Sequence, residues 1–172
     1  MRRQFLETPF GSLEAQWTCD GLYACEFSRS AKPTSSGDLT NCNAGWNLAM
    51  AALTESFCVY FETGIMQACP AQLDWSGVSS FHREVLELCY QIPCGETLTY
   101  GELAKAAGRP QAARAVGGAM AKNRWPILIP CHRVVGASGS LTGYSGTGGV
   151  ATKQALLEME AEYCGKCQLQ LF

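Results

Sequence analysis

The sequence predicts an α/β protein in two parts: a small N-terminal antiparallel sheet covered by one helix, then a mainly helical domain containing a helix-turn-helix. Three observations carry this. Apolar residues alternate with period two early in the chain. They recur at helical spacing from Trp46 onward. A capping signature followed closely by glycine and proline then marks two short helices in the middle of the chain.

In order, Leu13, Ala15 and Trp17 share one face of a strand, and Asp20-Gly21 supplies a tight hairpin before a strand over Leu22–Phe27. Residues 28–43 are polar and rich in breakers, a loop. Trp46, Met50, Leu53, Phe57 and Phe61 predict a helix that stops at Gly64. A linker around Pro70–Ser80 separates a domain over 1–76 from one over 77–172. Phe81, Val85, Leu88, Cys89 and Ile92 then mark a helix ending at Pro93-Cys94-Gly95. Thr99 and Glu102 form a capping box, so a helix starts near Tyr100 and ends at Gly108. Pro110 suits a first helical position, which predicts the next helix over Gln111–Lys122. A last helical stretch covers Lys153–Glu160, and the tail bearing Cys164-Gly165-Lys166-Cys167 reads as disordered.

The chain has 172 residues, 47% hydrophobic and 16% charged, enough to bury a core and too apolar for disorder. No apolar run reaches the ~20 residues of a membrane span. Met1-Arg2-Arg3 is not followed by the apolar core of a signal peptide, so a cytoplasmic protein is expected. Most of the ten cysteines then read as small buried hydrophobes, Cys58 and Cys89 among them, rather than as a disulfide framework. Charge is uneven: residues 1–80 carry a net −4, residues 81–153 a net +4 and residues 154–172 a net −2. A basic segment inside an acidic chain fits a phosphate-facing surface, and it also fits ordinary surface variation.

The helix over Gln111–Lys122 is nearly bare. Ala112, Ala113, Ala115, Gly117, Gly118 and Ala119 leave Arg114 as the one long side chain in the middle of that face. Close helix packing would require such small residues, and so would a nucleic-acid groove pressed against the backbone. Composition does not decide between them.

The chemistry concentrates in Pro126-Ile-Leu-Ile-Pro130-Cys131-His132-Arg133-Val134-Val135. A cysteine after an apolar run is commonly structural. As a nucleophile it would need a base and a group to orient that base. His132 is adjacent, and Glu160 is a downstream candidate for the third member.

Pro130-Cys131-His132-Arg133-Val134 closely resembles the active-site signature of the O6-alkylguanine-DNA alkyltransferases, the methylated-DNA–protein-cysteine methyltransferases. The resemblance extends in order through Thr99-Tyr100-Gly101-Glu102, Ala113–Met120, Asn123, Tyr144-Ser145-Gly146 and Leu156-Leu157 with Glu160, about half the chain. It implies a ribonuclease H-like N-terminal domain and a winged helix-turn-helix-like C-terminal domain. It implies irreversible transfer of an alkyl group from O6-alkylguanine in double-stranded DNA to Cys131, once per molecule, with O4-alkylthymine as a further candidate substrate. No cofactor or metal is implied. A monomer acting in the cytoplasm at the nucleoid, or in a nucleus, is expected.

Residue by residue, the resemblance makes Cys131 the acceptor. His132 would deprotonate it through a water, Glu160 would fix the imidazole, and Asn123 would orient the neighbouring turn. Tyr100 would protonate the ring nitrogen of the departing guanine. The target base must leave the stack, and Arg114 would fill the space behind it. Ala115, Gly117, Gly118 and Arg133 would contact DNA, with the slim helix in the minor groove. Met120, Trp125, Pro126, Val134, Tyr144, Ser145 and Gly146 would wall the pocket. The carbonyls of Cys131 and Val134 would accept from the guanine amine, and the Ser145 amide would donate to O6.

Two departures stand out. Thr147-Gly148-Gly149 lengthens the segment after Gly146, and Trp125 is bulky for a pocket rim. Some family members bind zinc in the N-terminal domain, but His82 and His132 lie outside it here, and a single Cys-x-x-Cys cannot close a tetrahedral site. The rival readings are a binding module that recognises the lesion without an acceptor thiol, and a turning-over Cys-His hydrolase.

Overall fold

The computed structural model describes residues 1–27, 44–66, 71–144, 146 and 148–169, the side chains of Ala44, Trp46 and residues 166–169 excepted. The expected loop over 28–43, the Trp46 side chain, Ser145 and Thr147 therefore lie outside the described residues. The chain forms two compact units, Met1–Ser76 and Gly77–Phe172.

In the first unit, β1 (Arg2–Thr8), β2 (Gly11–Thr18) and β3 (Gly21–Phe27) form an antiparallel meander in the order β1-β2-β3. The period-two reading holds, since Leu13, Ala15 and Trp17 are all buried. Helix α1 (Ala44–Thr63) packs against β1, where the Gln4 side-chain amide donates to the Met50 carbonyl at 2.9 Å. Leu53, Phe57 and Tyr60 form its buried stripe. Cys58, expected on an apolar face, is exposed, because it falls on the far side of that stripe.

In the second unit, α2 (Ser80–Tyr90) is capped by Ser79 and buries Val85, Leu86 and Cys89. The short strand β4 (Leu98–Thr99) runs into α3 (Tyr100–Ala106) through the expected capping box. Thr99 accepts from the Glu102 amide at 3.1 Å, while the Glu102 carboxylate accepts from the Thr99 amide at 2.7 Å. The end of α3 is a Schellman motif: Gly108 donates to Lys105 and Arg109 to Ala104, with Gly108 at φ 68°.

Helix α4 spans Ala113–Ala121, shorter than expected from Pro110. The Ala112 amide donates to the Arg109 carbonyl, so Pro110 and Gln111 complete a turn before the helix begins. Strand β5 (Val134–Val135) pairs parallel with β4, Leu98 opposite Val134 and Thr99 opposite Val135. That pairing brings the start of α3 beside the chain leaving Cys131. Helix α5 runs over Gly149–Leu169, well past the expected stretch. The Cys164–Cys167 segment is thus helical rather than a disordered tail, carried forward by a long run without proline.

Candidate active site

Cys131 opens a 3-10 turn over Cys131–Arg133, between a tight bend and β5. The bend is held by Asn123, whose side-chain amide donates to the Ile129 carbonyl at 2.9 Å while its oxygen accepts from the Trp125 amide at 3.0 Å. Within it Ile127 takes φ 73°, a conformation that branched residues avoid and that costs on the order of 1–3 kcal/mol. Asn123 and the Ile129-to-Trp125 backbone bond, at 2.8 Å, supply the constraint that keeps it there.

Cys131 is only 6% exposed. Burial pushes its thiol up, against opposing pulls from the Asn123 hydrogen bond, the Lys153 charge and the amides of Cys131 and His132. The resting group is therefore a protonated thiol in a setting that partly prepares the thiolate.

The orientation of the His132 imidazole is set by the residues behind it. Glu160 accepts from Arg133 Nε at 2.9 Å and Nη2 at 2.7 Å, and its Oε1 lies 2.9 Å from His132 Nε2. Burial pulls the Glu160 carboxyl up, but the hydrogen bonds from His132 and Arg133 outweigh it and hold the group at about 2. An ionised carboxylate can only accept, so Nε2 carries the imidazole proton and Nδ1 presents its lone pair. Nδ1 is buried without a hydrogen-bond partner among the described residues. Burial also pulls His132 down, leaving it neutral and able to take a proton.

These shifts predict acid sensitivity. Glu160 sits at about 2 when folded against an ordinary 4.5, so the unfolded chain binds the extra proton in between. Its contribution is complete above about 4.5 and lost as pH falls towards 2. His132, depressed from an ordinary 6.5, works in the same direction below that value. Urea midpoints should fall from about pH 6.5 downward and more steeply below about 4.5. A flat profile between about pH 7 and 3 would refute this account.

One expected role is corrected. The resemblance assigns Arg133 to DNA, yet it is 5% exposed, clamps Glu160, and donates through Nη1 to the Ile92 carbonyl at 2.6 Å. With its donors spent inside the protein, it anchors the 3-10 turn. Trp125, which the resemblance places at the pocket, is fully buried, with the Arg124 guanidinium 4.8 Å from its ring centroid.

The other residues separate into two groups. Met120, Pro126 and Val134 are buried, and Tyr144 and Gly146 are half-buried. A side chain at position 146 would collide with the Tyr144 ring, its Cβ lying 2.5 Å from a ring carbon. Tyr100 donates to the Thr142 carbonyl at 3.0 Å. Burial and the nearby Cys131 push its phenol up. The Val134 carbonyl accepts from Lys153 and the Cys131 carbonyl from the Val134 amide. On α4, Arg114, Ala115 and Gly118 are exposed. An added Cβ at Gly118 meets nothing within 4 Å, and one at Gly117 meets only Tyr100 at 4.0 Å. Internal packing therefore does not require these two glycines.

Sequence reasoning missed Lys153. Its ammonium is fully buried, donates to the Val134 carbonyl at 2.5 Å and the Thr142 carbonyl at 3.3 Å, and lies 5.9 Å from the Tyr100 ring centroid. The missed signal was spacing, since Lys153, Leu156 and Glu160 fall on one helical stripe and all three are buried. Among the described residues no cluster of three or more His, Cys, Asp or Glu side chains could hold a metal.

Residues 80–162 match the family model described as the DNA binding domain of 6-O-methylguanine DNA methyltransferase. The chain is 45% identical over 122 residues to a methylated-DNA–protein-cysteine methyltransferase of Mycolicibacterium paratuberculosis, covering 69% of this chain and 72% of that one. To the human protein of the same name it is 39% identical over 176 residues, covering 96% and 83%. The crystal structure of Mycobacterium tuberculosis OGT in complex with DNA superposes with a TM-score of 0.76 at 34% identity, covering 95% of this chain and 94% of that one.

Proposed function

The chain belongs to the O6-methylguanine DNA methyltransferase family, and on that premise we propose that it repairs O6-alkylguanine in duplex DNA by moving the alkyl group onto Cys131, once per molecule. The observation that carries this is the buried thiol followed by an imidazole whose tautomer Glu160 dictates. His132 takes the Cys131 proton at Nδ1 through a water. Sulfur attacks the alkyl carbon, the bond to O6 breaks, and the leaving purine takes a proton at a ring nitrogen from Tyr100, whose raised phenol still holds one. The thioether has no easy hydrolysis route, so the protein is spent, and no further reactant is needed to balance the reaction.

The bare face of α4 supports a DNA-contacting role for Ala115, Gly117 and Gly118, with the helix lying in the minor groove. Arg114 stands exposed on that helix, suited to fill the stack vacated by the flipped nucleotide. Met120, Pro126, Val134, Tyr144 and Gly146 wall the base pocket in this reading. Ser145 donates to O6, and the carbonyls of Cys131 and Val134 have a second lone pair each for the guanine amine. The first unit is read as ribonuclease H-like and the second as a winged helix-turn-helix. The protein works as a monomer wherever the DNA lies, nucleoid or nucleus. A lesion-binding module without transfer is disfavoured by the presence of Cys131 and its base.

Transfer from an O6-methylguanine duplex and from the free base separates the parts of this reading. Wild-type protein should accept from both. Arg114→Ala should slow the duplex reaction about ten- to a hundredfold, a loss of ~1–3 kcal/mol in stacking, and hardly change the free-base reaction. Equal losses on both substrates would return Arg114 to a structural role. No transfer from either substrate by the wild type would overturn the function itself.

A further inference from the structure

Cys94 and Cys164 are 70 residues apart in the chain, yet their Sγ atoms lie 3.4 Å apart. Neither belongs to the alkyl-transfer chemistry above. Cys94 sits in the connection between α2 and β4, and Cys164 on α5 one turn beyond Glu160. The backbone is shaped for this approach: Gly95 has φ 77°, and a Cβ there would stand 2.8 Å from the Cys164 sulfur. Any other residue at 95 would be strained and would push Cys164 away. Both cysteines are half-buried, within reach of a small reagent, whereas Cys89 and Cys131 are buried.

We propose that Cys94 and Cys164 form a dithiol site that closes to a disulfide on reaction with a low-molecular-weight disulfide, stapling α5 to the α2–β4 connection. Closure needs an approach of about 1.4 Å to reach bonding distance. The stapled segments are the two that hold Arg133, through the Ile92 carbonyl on one side and Glu160 on the other.

The Cys164 thiolate attacks one sulfur of the external disulfide, forming a mixed disulfide and expelling one thiolate. Cys94 then releases its proton and attacks the Cys164 sulfur, expelling the second thiol. The protein loses two electrons and two protons, and the external disulfide gains both as two thiols. Burial first, then Glu160 and Cys164, push the Cys94 thiol up, which disfavours Cys94 as the first nucleophile.

The test treats the full chain with oxidised glutathione, blocks remaining thiols and maps peptides by mass, alongside thermal unfolding. A Cys94–Cys164 link should form before any adduct appears on Cys131. The Tm should rise by roughly 5–15 °C, reversibly on reduction, and methyl acceptance should be retained. Cys94→Ser should stop at a glutathione adduct on Cys164 with no rise in Tm. Cys167→Ser should link as the wild type does. Glutathione on Cys131 first, absence of the Cys94–Cys164 link, or a link without the Tm rise would each overturn the proposal.

Discussion

Replacing Cys131 with alanine should abolish methyl transfer completely while leaving affinity for an O6-methylguanine duplex nearly unchanged. The thiol is the only atom group that ends bonded to the alkyl carbon, so no partial activity is expected from the base and its supports. Removing one buried sulfur should cost about 1 kcal/mol, small enough for the variant to fold. The wild-type protein should gain one methyl group, mapped to Cys131, and product should plateau at one equivalent of protein. Product beyond one equivalent would mean turnover and would favour a hydrolase. Residual transfer by Cys131→Ala would move the acceptor to another side chain.

Glu160 should show the largest combined effect on stability and rate. Its carboxylate is fully buried against Arg133 and His132. Glu160→Ala leaves the guanidinium charge inside the protein with its main partner gone, a loss of about 3–5 kcal/mol. For a unit of this size that lowers the Tm by roughly 15–30 °C. Glu160→Gln separates the two roles, because an amide no longer obliges Nε2 to carry the proton. The imidazole then loses its enforced tautomer, and the transfer rate should fall about 10²- to 10⁴-fold with a smaller change in Tm. Replacing Arg133 and Glu160 together by methionine should recover much of the stability and none of the rate. A Glu160→Gln rate near wild type would remove the tautomer from the mechanism.

How much of this was legible beforehand depended on the kind of signal. Leu13, Ala15 and Trp17 announced a half-buried strand because period two has no other common reading. Thr99 with Glu102, and Gly108, marked a helix start and stop because each satisfies backbone groups locally. Pro110 misled, since a residue suited to the first helical position is equally at home in the turn before it. At the site, the candidates His132 and Glu160 could be named but not their geometry, which depends on contacts 28 residues apart. Arg133 and Lys153 were missed as interior residues because a charge in sequence is read as facing solvent. The pairing with Glu160 and the Ile92 carbonyl for Arg133, and the carbonyls that receive Lys153, offset the cost of burial. The Cys94–Cys164 approach left no local trace at all.

Lys153 and Glu160 stand seven positions apart on one stripe of α5, which separates them by ~10.5 Å along the axis. The helix thereby acts as a ruler with two marks, one cation and one anion, set against the start of the β5 side and the 3-10 turn. Sliding α5 by a single residue would rotate both marks about 100° out of phase, so its seating is indexed by charge as well as by shape. In sequence, Tyr144 to Gly148 contains no charged residue. The two marks lie within the helix itself, so the seating of α5 is set from inside it, by Lys153 on the Val134 carbonyl and Glu160 on Arg133.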